Sequence, residues 1–163
     1  MAKEKEVVTN AMRILKKAGI DFETVRYESS GEAGENFGEK IAAKTGIAPD
    51  MSFKTLTLRG KTEIYVACIP VNKELDLKKL AEKAGEKKVE MLAVKELLGI
   101  VGYERGSVSP IGTKKKFKTF IDKSVLDLDK MAISGGMMGI TLVLDSKKPI
   151  SLLDAETEDI TKN

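Results

Sequence analysis

Apolar positions along the 163-residue chain change period several times, and each change marks an element. Val7, Val8, Ala11, Ile14, Leu15 and Ala18 recur at helical spacing, with Gly19 behind them as the stop. Residues 21 to 27 alternate like a strand. Ser29 to Glu35 reads as a loop, and Asn36 is placed to cap a helix running through Ile41 and Ala42 to Gly46. Ser52 to Leu58 and Glu63 to Ile69 read as strands, and the Arg59-Gly60-Lys61-Thr62 turn joins them into a hairpin. Asp76 caps a helix carrying Leu77, Leu80 and Ala81, which Gly85 ends. A short strand at Val89 to Met91 and a short helix at Ala93 to Leu98 follow, then a long shaped loop from Gly99 to Gly112. Thr119 to Asp122, Met131 to Ser134 and Ile140 to Leu144 read as strands, and Pro149 to Ala155 as a last helical turn or two. Strands and helices mix without strict βαβ alternation, which predicts an α+β domain around a mixed sheet. The length suits one such domain over residues 1–163.

Charged residues make up 33% and hydrophobic ones 42%, the balance of a globular chain. No apolar run approaches the ~18 residues needed to span a bilayer. Met1-Ala2-Lys3-Glu4-Lys5-Glu6 leads into no apolar signal core, so a cytoplasmic, membrane-free location is the expectation. Cys68 is the one cysteine and histidine is absent, which removes Ser-His-Asp and Cys-His hydrolases and His-ligated zinc enzymes together. Neither a metal nor a cofactor is expected. An enzyme built from this chain works with lysine, carboxylates, hydroxyls, backbone amides or groups on its substrate. The net charge of +3 permits contact with nucleic acid without demanding it.

Two glycine motifs fail on inspection. Gly60-Lys61-Thr62 resembles the tail of a phosphate-binding loop, but position 55 is Thr55 and a strand follows instead of a helix. Ser134-Gly135-Gly136-Met137-Met138-Gly139 lacks the first glycine of a dinucleotide fingerprint and also enters a strand. It is either a plain turn or a loop whose amides line a pocket. Lys54 is a sharper signal, because in an extended segment it shares a face with Leu56 and Leu58. Either it snorkels to water from the strand end, or its ammonium points into a pocket where weaker solvation strengthens its pull on an anion. Gly102 to Gly112 holds three glycines and Pro110, so it is a tight turn or a loop shaped for a ligand. Lys114-Lys115-Lys116 with Lys118 is either solvated surface or a grip for a phosphate backbone. Cys68, within Val66-Ala67-Cys68-Ile69, reads as core.

In order, the chain carries Asn36-Phe37-Gly38, Phe53-Lys54-Thr55-Leu56, Leu75-Asp76-Leu77-Lys78-Lys79 and Lys87-Lys88-Val89-Glu90-Met91. Gly102-Tyr103 through Gly106, Ser109-Pro110, Gly112, Lys114-Lys115, Ile121-Asp122 and Ser134-Gly135-Gly136 with Gly139 follow. Each piece is common alone. The ordered set, over about residues 10 to 155, resembles the YbaK/EbsC family of aminoacyl-tRNA deacylases, relatives of the editing domain inserted in bacterial prolyl-tRNA synthetases. The resemblance implies a mixed, barrel-like sheet with helices packed around it. Lys54 matches the family's essential lysine, with Thr55 beside it, and Gly106 to Pro110, including Ser109, matches the loop that shapes the aminoacyl pocket. Phe37, Tyr103 and Ser134, the last followed by Gly135 and Gly136, match other pocket positions. The chain departs from the family at Thr141, where many members carry aspartate, at Glu104-Arg105, where apolar residues are usual, and in the loop before Asn36.

The implied substrate is a tRNA acceptor end carrying a wrongly attached amino acid, with prolyl-tRNA synthetase as a candidate partner. Cysteine is the implied residue, on tRNA(Pro) or tRNA(Cys), with its own thiol attacking its carbonyl. An aminoacyl ester is already activated, so the site has to orient it and stabilise the oxyanion, a role for the amides of Gly106 and Ser107. Lys54 would hold a phosphate or ribose of the acceptor end or polarise the ester. Two other readings stay open: a non-catalytic module that binds tRNA or a synthetase, and a deacylase for another amino acid such as alanine.

Overall fold

The computed structural model describes residues 7–28 and 36–163, and the loop expected at Ser29 to Glu35 lies outside them. Helix α1 spans Asn10–Lys17 and strand β1 Glu23–Arg26. The helix starts later than its apolar spacing suggests, because the Thr9 hydroxyl accepts from the Met12 amide and fixes the N-cap there, leaving Val7 and Val8 exposed. Helix α2 covers Phe37–Thr45 and ends at Gly46 as expected. Asn36 does sit at its N-cap, but in the left-handed region (φ 60°) and without a side-chain capping bond.

Strands β2 (Phe53–Arg59) and β3 (Ile64–Pro70) form the expected hairpin, closed by the Gly60 amide donating to the Glu63 carbonyl at 2.8 Å. Asp76 caps α3 (Leu77–Ala84) through the Lys78 and Lys79 amides. Then come β4 (Glu90–Met91), α4 (Val94–Ile100), β5 (Lys118–Asp122), β6 (Lys130–Ser134), β7 (Ile140–Asp145) and α5 (Lys147–Leu152). Because α4 continues to Ile100, Gly99 is helical and the shaped loop begins after it. Strand β8, Glu156–Glu158, follows where the sequence shows no strand pattern.

The fold is α+β, with two sheets ordered β1-β7-β6 and β4-β2-β3-β5-β8. The first is antiparallel. In the second, β3 pairs antiparallel with β2 and parallel with β5, and β5 pairs parallel with β8. The expected barrel is therefore not closed among the described residues. Among the described residues the backbones of the two sheets are joined by one isolated parallel bridge, Ser52 to Ala132.

Central strand β3 explains the packing. Its buried residues alternate between two faces. Val66 and Cys68, with Phe53 and Ile121, meet α1 and the three-stranded sheet through Leu15, Met131, Ile133 and Leu142. Tyr65, Ala67 and Ile69, with Leu58 and Phe120, meet Leu80 and Ala81 of α3. Both faces are covered, so the Ile-Tyr-Val-Ala-Cys-Ile run shows no polar alternation.

The edge is closed by a buried carboxylate. Asp122, 4% exposed, accepts from the amides of Ser124 and Ile160, both at 3.2 Å. Removing it orphans two donors, which costs about 2–3 kcal/mol. In urea titration Asp122→Ala is expected to lose that much stability; a loss within about 0.5 kcal/mol, the range of neutral surface changes, would contradict the assignment.

Candidate functional site

A cavity of about 700 Å³ opens where the two sheets meet. That is within the size range of small-molecule sites. Five of the residues singled out from the sequence line it: Phe37, Lys54, Thr55, Gly106 and Ser134.

Phe37 arrives on the first turn of α2. The helix can approach because residue 38 has no side chain: a Cβ at Gly38 would lie 2.7 Å from Val71 Cγ1, just beyond the end of β3. Lys54 and Thr55 are the second and third residues of β2. Lys54 faces Ile69 across the hairpin and shares a row with Leu56 and Leu58, as its spacing requires. It is half-buried, and its ammonium makes no hydrogen bond or ion pair among the described residues. Thr55 touches Cys68 on the other face, Oγ1 to Sγ 3.8 Å. Burial pushes the Cys68 thiol up to about 12, so it is a neutral core group at physiological pH and no nucleophile.

The loop after α4 is pinched at its base by the Lys114 amide, which donates to the Val101 carbonyl at 2.9 Å. Inside it, the buried Tyr103 hydroxyl donates to the Ile111 carbonyl (2.6 Å) and Ser109 Oγ accepts from the Ile111 amide (3.2 Å). Tyr103, Ser109 and Pro110 are thus buried supports of the loop and do not line the cavity. Gly106, at φ +88°, carries the loop past the cavity with its amide unpaired among the described residues. Ser107 differs. Its amide donates to the Glu104 carbonyl at 3.0 Å and its hydroxyl to the same oxygen at 2.9 Å, so in this arrangement it has no donor for an oxyanion.

Ser134 ties this loop to the other sheet. Its Oγ donates to the Ser107 carbonyl (3.0 Å) and accepts from the Gly136 amide (3.1 Å). The Gly135 amide is taken by the Ile140 carbonyl at 2.9 Å. Gly135 and Gly136 therefore build the β6–β7 turn, with their amides used internally, and do not line the cavity. The lysine run also lies off it. Lys114 Nζ donates to the Gly99 carbonyl at 3.1 Å, Lys118 is 3.7 Å from Glu156 and sits over the Phe120 ring, and Lys115 and Lys116 are exposed.

Sequence reasoning did not select Tyr27, Ile41, Lys73 or Val108 as site residues, and it treated Arg105 and Thr141 only as departures; all six line the cavity. Tyr27 follows β1, and its amide donates to the Gly139 carbonyl (3.0 Å). Burial raises its hydroxyl pKa, opposed by a hydrogen bond with the Gly139 backbone. An aromatic ending a period-two stretch was the available signal. Among the described residues no group of acidic, Cys or His side chains is placed to hold a metal ion, and no helix is long and apolar enough to cross a membrane.

The arrangement offers a half-buried cation at Lys54, two exposed ones at Lys73 and Arg105, hydroxyls and a main-chain donor, with no activated protein nucleophile among the described residues. If Ser134 holds the loop, Ser134→Ala is expected to accelerate amide hydrogen exchange at Gly136 and through residues 102–112, while costing only about 1 kcal/mol in melting. Unchanged exchange there would refute the clasp.

Comparison with known proteins gives consistent matches. The family described as "Aminoacyl-tRNA editing domain" matches residues 34–150. An Enterococcus faecalis protein named "Putative Cys-tRNA(Pro)/Cys-tRNA(Cys) deacylase EbsC" is 39% identical over 99% of this chain and 98% of its own length. A stretch of the proline–tRNA ligase of Streptomyces griseus is 31% identical over 47% of this chain, which is 14% of the ligase. Among solved structures, a "putative trans-editing enzyme for prolyl tRNA synthetase" superposes with a TM-score of 0.83 at 19% identity, covering 97% of this chain and all of that one. A hypothetical protein matches at 0.84 and 20% identity, over 94% of this chain and 100% of its own. At those identities the structural matches speak for the fold.

Proposed function

Because the chain belongs to the aminoacyl-tRNA editing family, we propose that it hydrolyses the ester of mischarged aminoacyl-tRNA in trans, as a single editing domain over residues 1–163. The observation that carries this reading is Lys54, an unpaired, half-buried cation on the cavity wall.

The substrate is a cysteinyl ester on tRNA(Pro) or tRNA(Cys). The acceptor end enters the cavity with its ribose or terminal phosphate against Lys54. The amide of Gly106 faces the carbonyl oxygen as negative charge builds there. Ser107 adds a second donor only if its turn with Glu104 opens, so it is the weaker member of the pair. The substrate's sulfur forms a bond to its own carbonyl carbon, and the ester bond to the ribose oxygen breaks. The thiol proton ends on that oxygen. Water then opens the resulting thiolactone to free cysteine. Phe37, Thr55 and Ser134 border the aminoacyl group, while Tyr103, Ser109, Pro110, Gly135 and Gly136 act through the shape of the loops that carry them.

Lys54→Ala is expected to reduce deacylation of Cys-tRNA(Pro) by on the order of a hundredfold or more. The fold should survive, because a half-exposed strand lysine without partners contributes within roughly 0.5 kcal/mol. Full turnover by this variant would refute the assignment. Cleavage of Ala-tRNA(Pro) but not Cys-tRNA(Pro) by the unmodified chain would move the substrate to alanine, and tRNA binding without cleavage of either would favour a non-catalytic module.

A further inference from the structure

The cavity is lined by three basic side chains, Lys54, Lys73 and Arg105, and two acidic ones, Glu39 and Glu74. Glu74 is already occupied. Its carboxylate lies 3.3 Å from Lys162 Nζ, and its carbonyl accepts from the Lys162 amide at 2.9 Å. The carboxylate nearest Lys73 in sequence is thus paired with Lys162 in an exposed ion pair, and not with Lys73. Neither Lys73 nor Arg105 has a side-chain hydrogen bond or ion pair among the described residues.

Several basic residues off the cavity are engaged, while Lys115, Lys116, Lys147 and Lys148 are exposed without a side-chain partner among the described residues, so it is their place on the cavity that sets Lys73 and Arg105 apart. Arg59 pairs with Glu96, Lys79 with Asp159, Lys83 with Glu158 and Lys118 with Glu156. Lys44 and Lys114 donate to backbone carbonyls. The described cavity lining therefore holds three unpaired cations against the single free carboxylate of Glu39. Two of the three, Lys73 and Arg105, are exposed and come from separate segments, the turn after β3 and the loop after α4. Exposed, unpaired cations add little to stability but attract a polyanion whose phosphates can reach both.

We propose that Lys73 and Arg105 grip the phosphodiester backbone of the acceptor strand. The proposal rests on reading the cavity as an aminoacyl-tRNA editing site. Both are binding residues, and neither is given a part in the chemistry. Arg105 stands where the resemblance leads one to expect an apolar residue, so this grip is a feature of this chain's own sequence.

The test compares full-length Lys73→Ala/Arg105→Ala with Lys147→Ala/Lys148→Ala, which removes the same charge from exposed positions off the cavity. Binding of uncharged tRNA(Pro) is measured across a salt series, and KM and kcat for Cys-tRNA(Pro) alongside. Each lost phosphate contact is expected to weaken binding roughly three- to tenfold near 0.1 M salt and to flatten the log–log salt slope by about 0.7–0.9. The loss should fall on KM more than on kcat, and Lys73→Arg/Arg105→Lys should recover most of it. The Lys147/Lys148 variant should bind within about twofold of the unmodified chain. Equal losses in the two double variants, or an unchanged salt slope for Lys73→Ala/Arg105→Ala, would overturn the proposal. If no aminoacyl ester is cleaved by the unmodified chain, the editing reading fails, yet the tRNA-binding comparison still decides whether these residues form the grip.

Discussion

Two sheets packed through a shared core meet at a seam where, among the described residues, one backbone bridge, Ser52 to Ala132, joins them, and the cavity opens beside it. Had β2 and β6 paired beyond that bridge, the gap bordered by Phe53, Lys54 and Thr55 on one side and Ile133 and Ser134 on the other would have closed. Instead these residues are cavity wall. The two core clusters, one on each face of the five-stranded sheet, make this gap affordable by holding β2 and β3 rigid behind it. A lysine at the start of β2 can then stand at the edge of an apolar row without being driven into the core.

The chemistry follows from what the wall lacks as much as from what it holds. The chain contains no histidine to activate a hydroxyl. Its one thiol is buried, and burial holds it neutral. The Ser107 and Ser134 hydroxyls donate to backbone carbonyls, and Ser109 is fully buried. On the proposed function, a reaction here takes its nucleophile from the substrate or from water. An activated ester with an internal thiol suits such a site, because orientation and charge stabilisation are then the only demands on the protein.

Much of this was legible in the chain, and the failures have a common cause. Lys54 stood out because binary patterning is a local rule, and a cation in register with Leu56 and Leu58 breaks it. The hairpin and the caps at Asp76, Gly46 and Gly85 are local for the same reason. The lysine run lies off the cavity, and local charge density says nothing of Glu156 or the Gly99 carbonyl, which take Lys118 and Lys114. Strand β8 was missed because Glu-Thr-Glu has no apolar face and becomes a strand only by pairing with β5. Tyr27 became a site residue only through the pairing of β1 with β7, more than a hundred positions away. The sequence places Ser107 in a glycine loop but does not show that its amide turns back to the Glu104 carbonyl.

On the proposed function, this cavity supplies placement and charge while the substrate supplies the nucleophile. Single-turnover hydrolysis of cysteinyl and seryl esters on the same tRNA, with the chain in excess, tests it most directly, since the two differ only in sulfur for oxygen. A thiol is far the better internal nucleophile, so the cysteinyl ester should be cleaved faster by on the order of a hundredfold. Equal rates would mean that water or a protein group attacks, contradicting the account.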